Sequence, residues 1–125
     1  LFAYGLLQPG LQPPKSVRRC WKDWVRGRLY DLGPFPGAMV FDSAEESFEG
    51  WVLDIDEAEL PVLDEFEDVT GERRYRRVRT RTLGGVDVWI YDYIGPVPAN
   101  ARPLARWPAG DGTEAPLVDR ETSEA

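Results

Sequence analysis

Short apolar or alternating runs, each closed by a glycine or proline turn, recur along this chain and leave little room for long helices. Leu1 to Tyr4 is an apolar run ending at Gly5, which predicts a buried first strand. Gln8 to Pro14 is rich in proline and reads as a loop. Ser16 is placed to cap a short helix through Cys20 and Trp21, because Val17, Cys20, Trp21 and Trp24 fall near helical spacing. Val25 to Leu32 alternates as a strand does, Gly33-Pro34-Phe35-Pro36-Gly37 is a turn, and Ala38 to Phe41 is a further strand. Phe48 to Ile55 follows as another, with Gly50 marking a bulge or a close backbone approach. Asp56 and Glu59 form a capping-box pattern opening a helix that carries Leu60, Leu63 and Phe66 or Glu67 along one side. Pro61 is expected to kink that helix or divide it. Tyr75 to Thr82 and Val86 to Ile94 are the last strands, joined by the hairpin composition Leu83-Gly84-Gly85.

The order is therefore strand, helix, three strands, helix, two strands, with short links. Strands so seldom interrupted by helices do not make a doubly wound parallel fold. An α+β domain is expected: a small mixed sheet curled into a barrel, with a few short helices at its rim. Residues 1–110 form the predicted domain. The acidic segment 111–125 has almost no large apolar side chains and is expected to be poorly ordered. A beginning at Leu1 rather than methionine leaves room for residues upstream.

At 125 residues, 42% hydrophobic, one proper core is affordable and two are not. A formal charge of −7 disfavours nucleic acid and anionic membranes as partners. No run approaches the roughly 20 apolar residues that span a bilayer, and no basic-then-apolar leader is present. The single cysteine, Cys20, forms no intrachain disulfide, so the fold has no need of an oxidising compartment and a cytoplasmic location is expected. Cys20 reads as a small buried hydrophobe beside Trp21. Histidine is absent, which removes Ser-His-Asp and Cys-His machinery and the commonest transition-metal ligand. Catalysis within such a chain rests on carboxylates, tyrosines, lysines, backbone groups or a bound cofactor.

Three places could carry chemistry. The turn at Gly5 can aim successive backbone N–H groups into one concavity that suits a carboxylate, or it is an ordinary strand end. In Leu63-Asp64-Glu65-Phe66-Glu67-Asp68, helical spacing sets Glu67 on the leucine stripe while Asp64, Glu65 and Asp68 point more outward. Such a glutamate is either a boundary residue or a carboxylate with a raised pKa, as general acid–base work requires. The arginines from Arg73 to Arg81 alternate between two strand faces, and in an acidic chain they fit an exposed strand balanced by nearby Asp and Glu. Trp89, Tyr91 and Tyr93 share a face that is core or pocket wall, core being the default.

Taken together, these segments resemble the γ-glutamylcyclotransferase-like superfamily. Tyr4-Gly5-Leu6-Leu7 is similar to its Tyr-Gly-x-Leu signature. Gly27 to Gly33 with Phe35-Pro36-Gly37-Ala38 resembles its second strand and following turn, and Gly50 to Ile55 its later Gly-x-hydrophobic strand. Leu63-Asp64-Glu65-Phe66-Glu67 is similar to the Leu-Asp-x-x-Glu that carries the catalytic glutamate, and Tyr75-Arg76-Arg77 and Val88 to Tyr91 follow in order. Order and spacing over residues 1–94 are more specific than any one motif. Two positions depart: Leu6 stands where Ser or Thr is frequent, and Asp68 where glycine often follows the glutamate.

The resemblance implies a metal-free and cofactor-free enzyme of γ-glutamylamine cyclotransferase type, acting on a small γ-glutamyl amide. The substrate's own α-amine attacks its γ-carbonyl, giving 5-oxoproline and a free amine. By the same resemblance, Glu67 is general acid and base, the N–H groups of Gly5, Leu6 and Leu7 hold the substrate carboxylate, and Tyr4 and Tyr75 wall the pocket. The alternative is a non-catalytic module of the same fold that binds a small carboxylate. The amine portion and the oligomeric state are not specified by the sequence.

Overall fold

The computed structural model describes residues 1–67 and 74–108. The expected tail 111–125, with Asp68 and Arg73, lies outside the described residues. The strands are β1 (Phe2–Ala3), β2 (Arg19–Asp31), β3 (Pro36–Val40), β4 (Ser47–Asp54), β5 (Tyr75–Arg81), β6 (Asp87–Tyr93) and β7 (Arg102–Leu104). A 3-10 turn (Glu57–Glu59) leads directly into one α-helix, α1 (Leu60–Glu67). The sheet runs β3-β2-β4-β1-β6-β5, with β7 on β2, and only β1–β6 is a parallel pair.

Long β2 makes the curl possible. Its first half pairs with β4, from Arg19↔Asp54 to Arg26↔Ser47, and its second half with β3, from Gly27↔Val40 to Asp31↔Pro36. The switch occurs at Gly27, where φ is +148° and a Cβ would sit 2.3 Å from the Met39 carbonyl oxygen. Only glycine fits there. The sheet's ends then approach: the Asp92 carboxylate of β6 accepts from Val40 N of β3 at 2.9 Å, and Leu83 N of the β5–β6 turn donates to Trp24 O at 2.8 Å. The result is a nearly closed mixed barrel, as the sequence predicts, with one short α-helix rather than several among the described residues.

β1 is apolar throughout because both of its faces are covered. Phe2 and Tyr4 point into the barrel among Val25, Leu29, Phe48, Val52 and Ile90. Leu1 and Ala3 point to the other side, where Leu53, Leu60, Leu63 and Tyr91 form a second cluster under α1. Gly50 is a close approach rather than a bulge: a Cβ there would lie 2.6 Å from both the Ala3 carbonyl oxygen and the Phe2 ring. No described helix is long and apolar enough to cross a membrane.

Three expectations fail here. The helix predicted from Ser16 through Trp21 does not form: Arg19–Trp21 open β2, where an eight-residue ladder with β4 satisfies the backbone and overrides the near-helical spacing. Arg19, Cys20 and Trp21 all lie exposed at the open end of β2, before its alternation with buried positions begins at Asp23, so Cys20 is exposed rather than buried. The capping box is also rewired. Asp56 caps the 3-10 turn through Ala58 N at 3.1 Å, but Glu59 reaches Ser16 Oγ at 2.6 Å and Lys15 N at 2.7 Å. Ser16 Oγ accepts from Asp56 N at 2.9 Å, fixing the loop after β1 to the entry of α1. Pro61 falls in the first turn of α1, where a missing N–H is tolerated, and the helix runs on past it to Glu67.

Candidate functional site

α1 is short, and its burial is confined to Leu60 and Leu63, which seat it on the outer cluster. That seating carries the final residue, Glu67, toward the chain leaving β1. The two meet in a cleft whose walls are Phe2 to Leu7 on one side, Phe35 and Pro36 on another, and Tyr75, Tyr91 and Glu67 on the third. The cleft is open to solvent and encompasses about 360 Å³ counting its mouth. All six residues singled out in the sequence (Tyr4, Gly5, Leu6, Leu7, Glu67 and Tyr75) line it.

Gly5 allows this arrangement. A Cβ on it would lie 2.9 Å from Pro36 Cγ, so the strand end and the turn before β3 could not close together with a larger residue. Beyond it the carbonyls of Gly5 and Leu6 accept from Gln8 N and Gln12 N, which curls the loop back on itself. The N–H groups of Gly5, Leu6 and Leu7 make no hydrogen bond among the described residues. Unspent amides in succession at a cleft are suited to an anion.

Three tyrosines surround Glu67, and each has its hydroxyl engaged elsewhere. Buried Tyr4 donates to the Tyr91 carbonyl. Tyr75 donates to the Pro36 carbonyl at 2.6 Å, its ring packed edge-on against Tyr93 and Phe35. Tyr91 donates to Asp64 Oδ1 at 2.6 Å. Burial is the main cause that raises the pKa of all three, and the charge of Glu67 adds to it in each. The Glu67 carboxylate itself accepts no hydrogen bond among the described residues. Half-buried and without a donor, it is pushed up by desolvation to a pKa of about 7.

Asp64, expected to point outward, turns toward the sheet. It takes a two-pronged bond from Arg77, Nε to Oδ1 at 2.8 Å and Nη2 to Oδ2 at 3.1 Å. Arg77 lies over the Trp89 ring at 4.4 Å, and Arg79 over the same ring at 4.9 Å. The arginine-rich strand is otherwise balanced as expected, with Arg76 on Asp92 and Arg81 on Asp87. Tyr91, whose face could be core or pocket wall by sequence, lines the cleft, and Phe35 and Pro36 join it from the turn before β3. Among the described residues no group of His, Cys, Asp and Glu is gathered as a metal ion would need.

The family model described as gamma-glutamyl cyclotransferase, AIG2-like, matches residues 1–111. This chain belongs to that family. Two solved structures share the cyclotransferase-type fold. The uncharacterized protein PH0828 from Pyrococcus horikoshii is 21% identical with a TM-score of 0.62, over 97% of this chain and 95% of that one. YkqA from Bacillus subtilis is 20% identical with a TM-score of 0.65; 97% of this chain covers 42% of YkqA, less than half its length. At such identities the likeness is one of fold. No curated protein matches the chain in sequence.

Proposed function

We propose that this domain converts a γ-glutamyl amide to 5-oxoproline and a free amine, with Glu67 moving the proton. The observation that carries the reading is that one cleft holds the Glu67 carboxylate and the amides of Gly5, Leu6 and Leu7, none of them hydrogen-bonded among the described residues. The amides bind the substrate α-carboxylate. This leaves the α-ammonium and the γ-amide on the Glu67 side. Deprotonated Glu67 takes a proton from the ammonium, and the freed amine attacks the γ-carbonyl carbon of the same molecule. A C–N bond closes the five-membered ring, the proton held by Glu67 goes to the departing nitrogen as the amide C–N bond breaks, and the surplus proton on the ring nitrogen, taken by Glu67 in turn, passes to the freed amine, which leaves as its ammonium. A carboxyl with a pKa of about 7 serves both halves of this exchange near neutral pH. No oxidant, reductant or added group is required for the balance. Tyr4 and Tyr75 shape the walls, their hydroxyl protons already committed to backbone carbonyls.

The assignment is tested with Glu67→Gln. A γ-glutamyl amide added to this variant should shift the backbone amide resonances of Gly5, Leu6 and Leu7 while no product forms. Turnover retained in the variant would remove Glu67 from the chemistry, and unmoved amides would remove the proposed carboxylate site.

A further inference from the structure

Asp64 precedes Glu67 by three residues on α1, so the two carboxylates project from one flank of the helix. Arg77 and Tyr91 stand directly opposite each other in the β5–β6 ladder. Both reach Asp64 rather than Glu67, Arg77 with two bonds and Tyr91 with one at 2.6 Å. Tyr91 nevertheless lines the cleft with Glu67, within reach of its charge.

We infer that Asp64 is a positioning residue: it holds the Tyr91 hydroxyl on itself and thereby keeps that hydroxyl from donating to the Glu67 carboxylate. The bidentate fork of Arg77 fixes the Asp64 carboxylate, and a charged acceptor outbids a neutral one for the tyrosine proton. With Asp64 neutral, the Glu67 carboxylate becomes the better acceptor for that hydroxyl. A hydrogen bond donated to a carboxylate favours its charged form, so the proton on Glu67 would be lost at lower pH. The other described groups facing Glu67 do not compete. Tyr4 and Tyr75 donate to backbone carbonyls, Phe35 and Pro36 carry no charge, and the Arg77 guanidinium is matched by Asp64 itself.

This inference rests on Glu67 being the working acid and base, but its test does not require turnover. The Glu67 carboxyl is followed by carbon NMR in glutamate-labelled protein, its signal assigned by loss in Glu67→Gln. Wild type should titrate near 7. In Asp64→Asn the midpoint should fall by about one pH unit or more. Tyr91→Phe should leave it unmoved, and the double variant Asp64→Asn/Tyr91→Phe should return it to the wild-type value. An unmoved midpoint in Asp64→Asn overturns the inference, as does a fall that persists in the double variant. Should Asp64→Asn fail to fold, Tyr91→Phe decides alone, since a midpoint that rises there means that the hydroxyl already donates to Glu67. Where a substrate is turned over, the acid limb of kcat/KM should move with the NMR midpoint. If nothing is turned over, the titration still decides the role of Asp64, so the two readings fail separately.

Discussion

Replacing Glu67 by glutamine should change how folding stability depends on pH, whatever the substrate proves to be. The carboxyl has an ordinary pKa of 4.5 and is pushed to about 7 in the folded protein by burial. The native state therefore holds this proton more tightly than the unfolded chain does. Below about pH 4.5 both states are protonated and the group has no effect on the balance. From there to about pH 7 the unfolded chain releases the proton first, so stability falls as pH rises and levels off above. At about 1.4 kcal/mol per pH unit the shift amounts to about 3 kcal/mol. The cleft is open to water, which makes that an upper bound, and a change of about 2 kcal/mol is expected. The assay is urea unfolding of wild type and Glu67→Gln at intervals from pH 5 to pH 8.5. Glutamine has its own burial cost, so the quantity to read is how the difference between the two proteins changes with pH. The variant should gain on wild type by about 2 kcal/mol across that window. A difference that stays flat, or that moves in favour of wild type, would refute the raised ionisation and with it the case for Glu67 as a proton carrier at neutral pH.

Two other substitutions probe the frame around the cleft. Gly27→Ala brings a Cβ within 2.3 Å of the Met39 carbonyl at a backbone angle unfavourable to side chains, so a loss above about 3 kcal/mol in urea unfolding is expected. Gly5→Ala presses on Pro36 from 2.9 Å and displaces the amides beside the cleft; KM should rise several-fold while kcat changes less, and an unchanged KM would separate those amides from substrate binding.

Much of the fold is legible in the sequence, because the strands are bounded by chemistry local to each turn. Gly33 to Gly37, Leu83 to Gly85 and the alternation in β5 and β6 place their elements to within a residue or two. The failures share a cause: contacts far apart in the chain. Nothing local to Arg19–Trp24 reveals that Ser47–Asp54 will pair with it, so the tryptophan spacing reads as helical. Glu59 likewise fits a capping box until Ser16, some forty residues earlier, takes its carboxylate and supplies the hydroxyl for Asp56 N. In the cleft, Glu67 could be read from its place on the leucine stripe, and Tyr4 to Leu7 from a resemblance of motif. Asp64 could not, since its inward turn depends on Arg77 and Tyr91 meeting across β5 and β6. The available signal was the same i, i+3 spacing that ties Asp64 to Glu67.

The most direct measurement is release of 5-oxoproline by purified protein from a panel of γ-glutamyl amino acids and γ-glutamyl amines, with the freed amine quantified alongside. The account predicts equal amounts of the two products from at least one member of the panel and none when Glu67→Gln replaces wild type. Folded wild-type protein that binds a panel member at the Gly5 to Leu7 amides and releases nothing from any of them would contradict it.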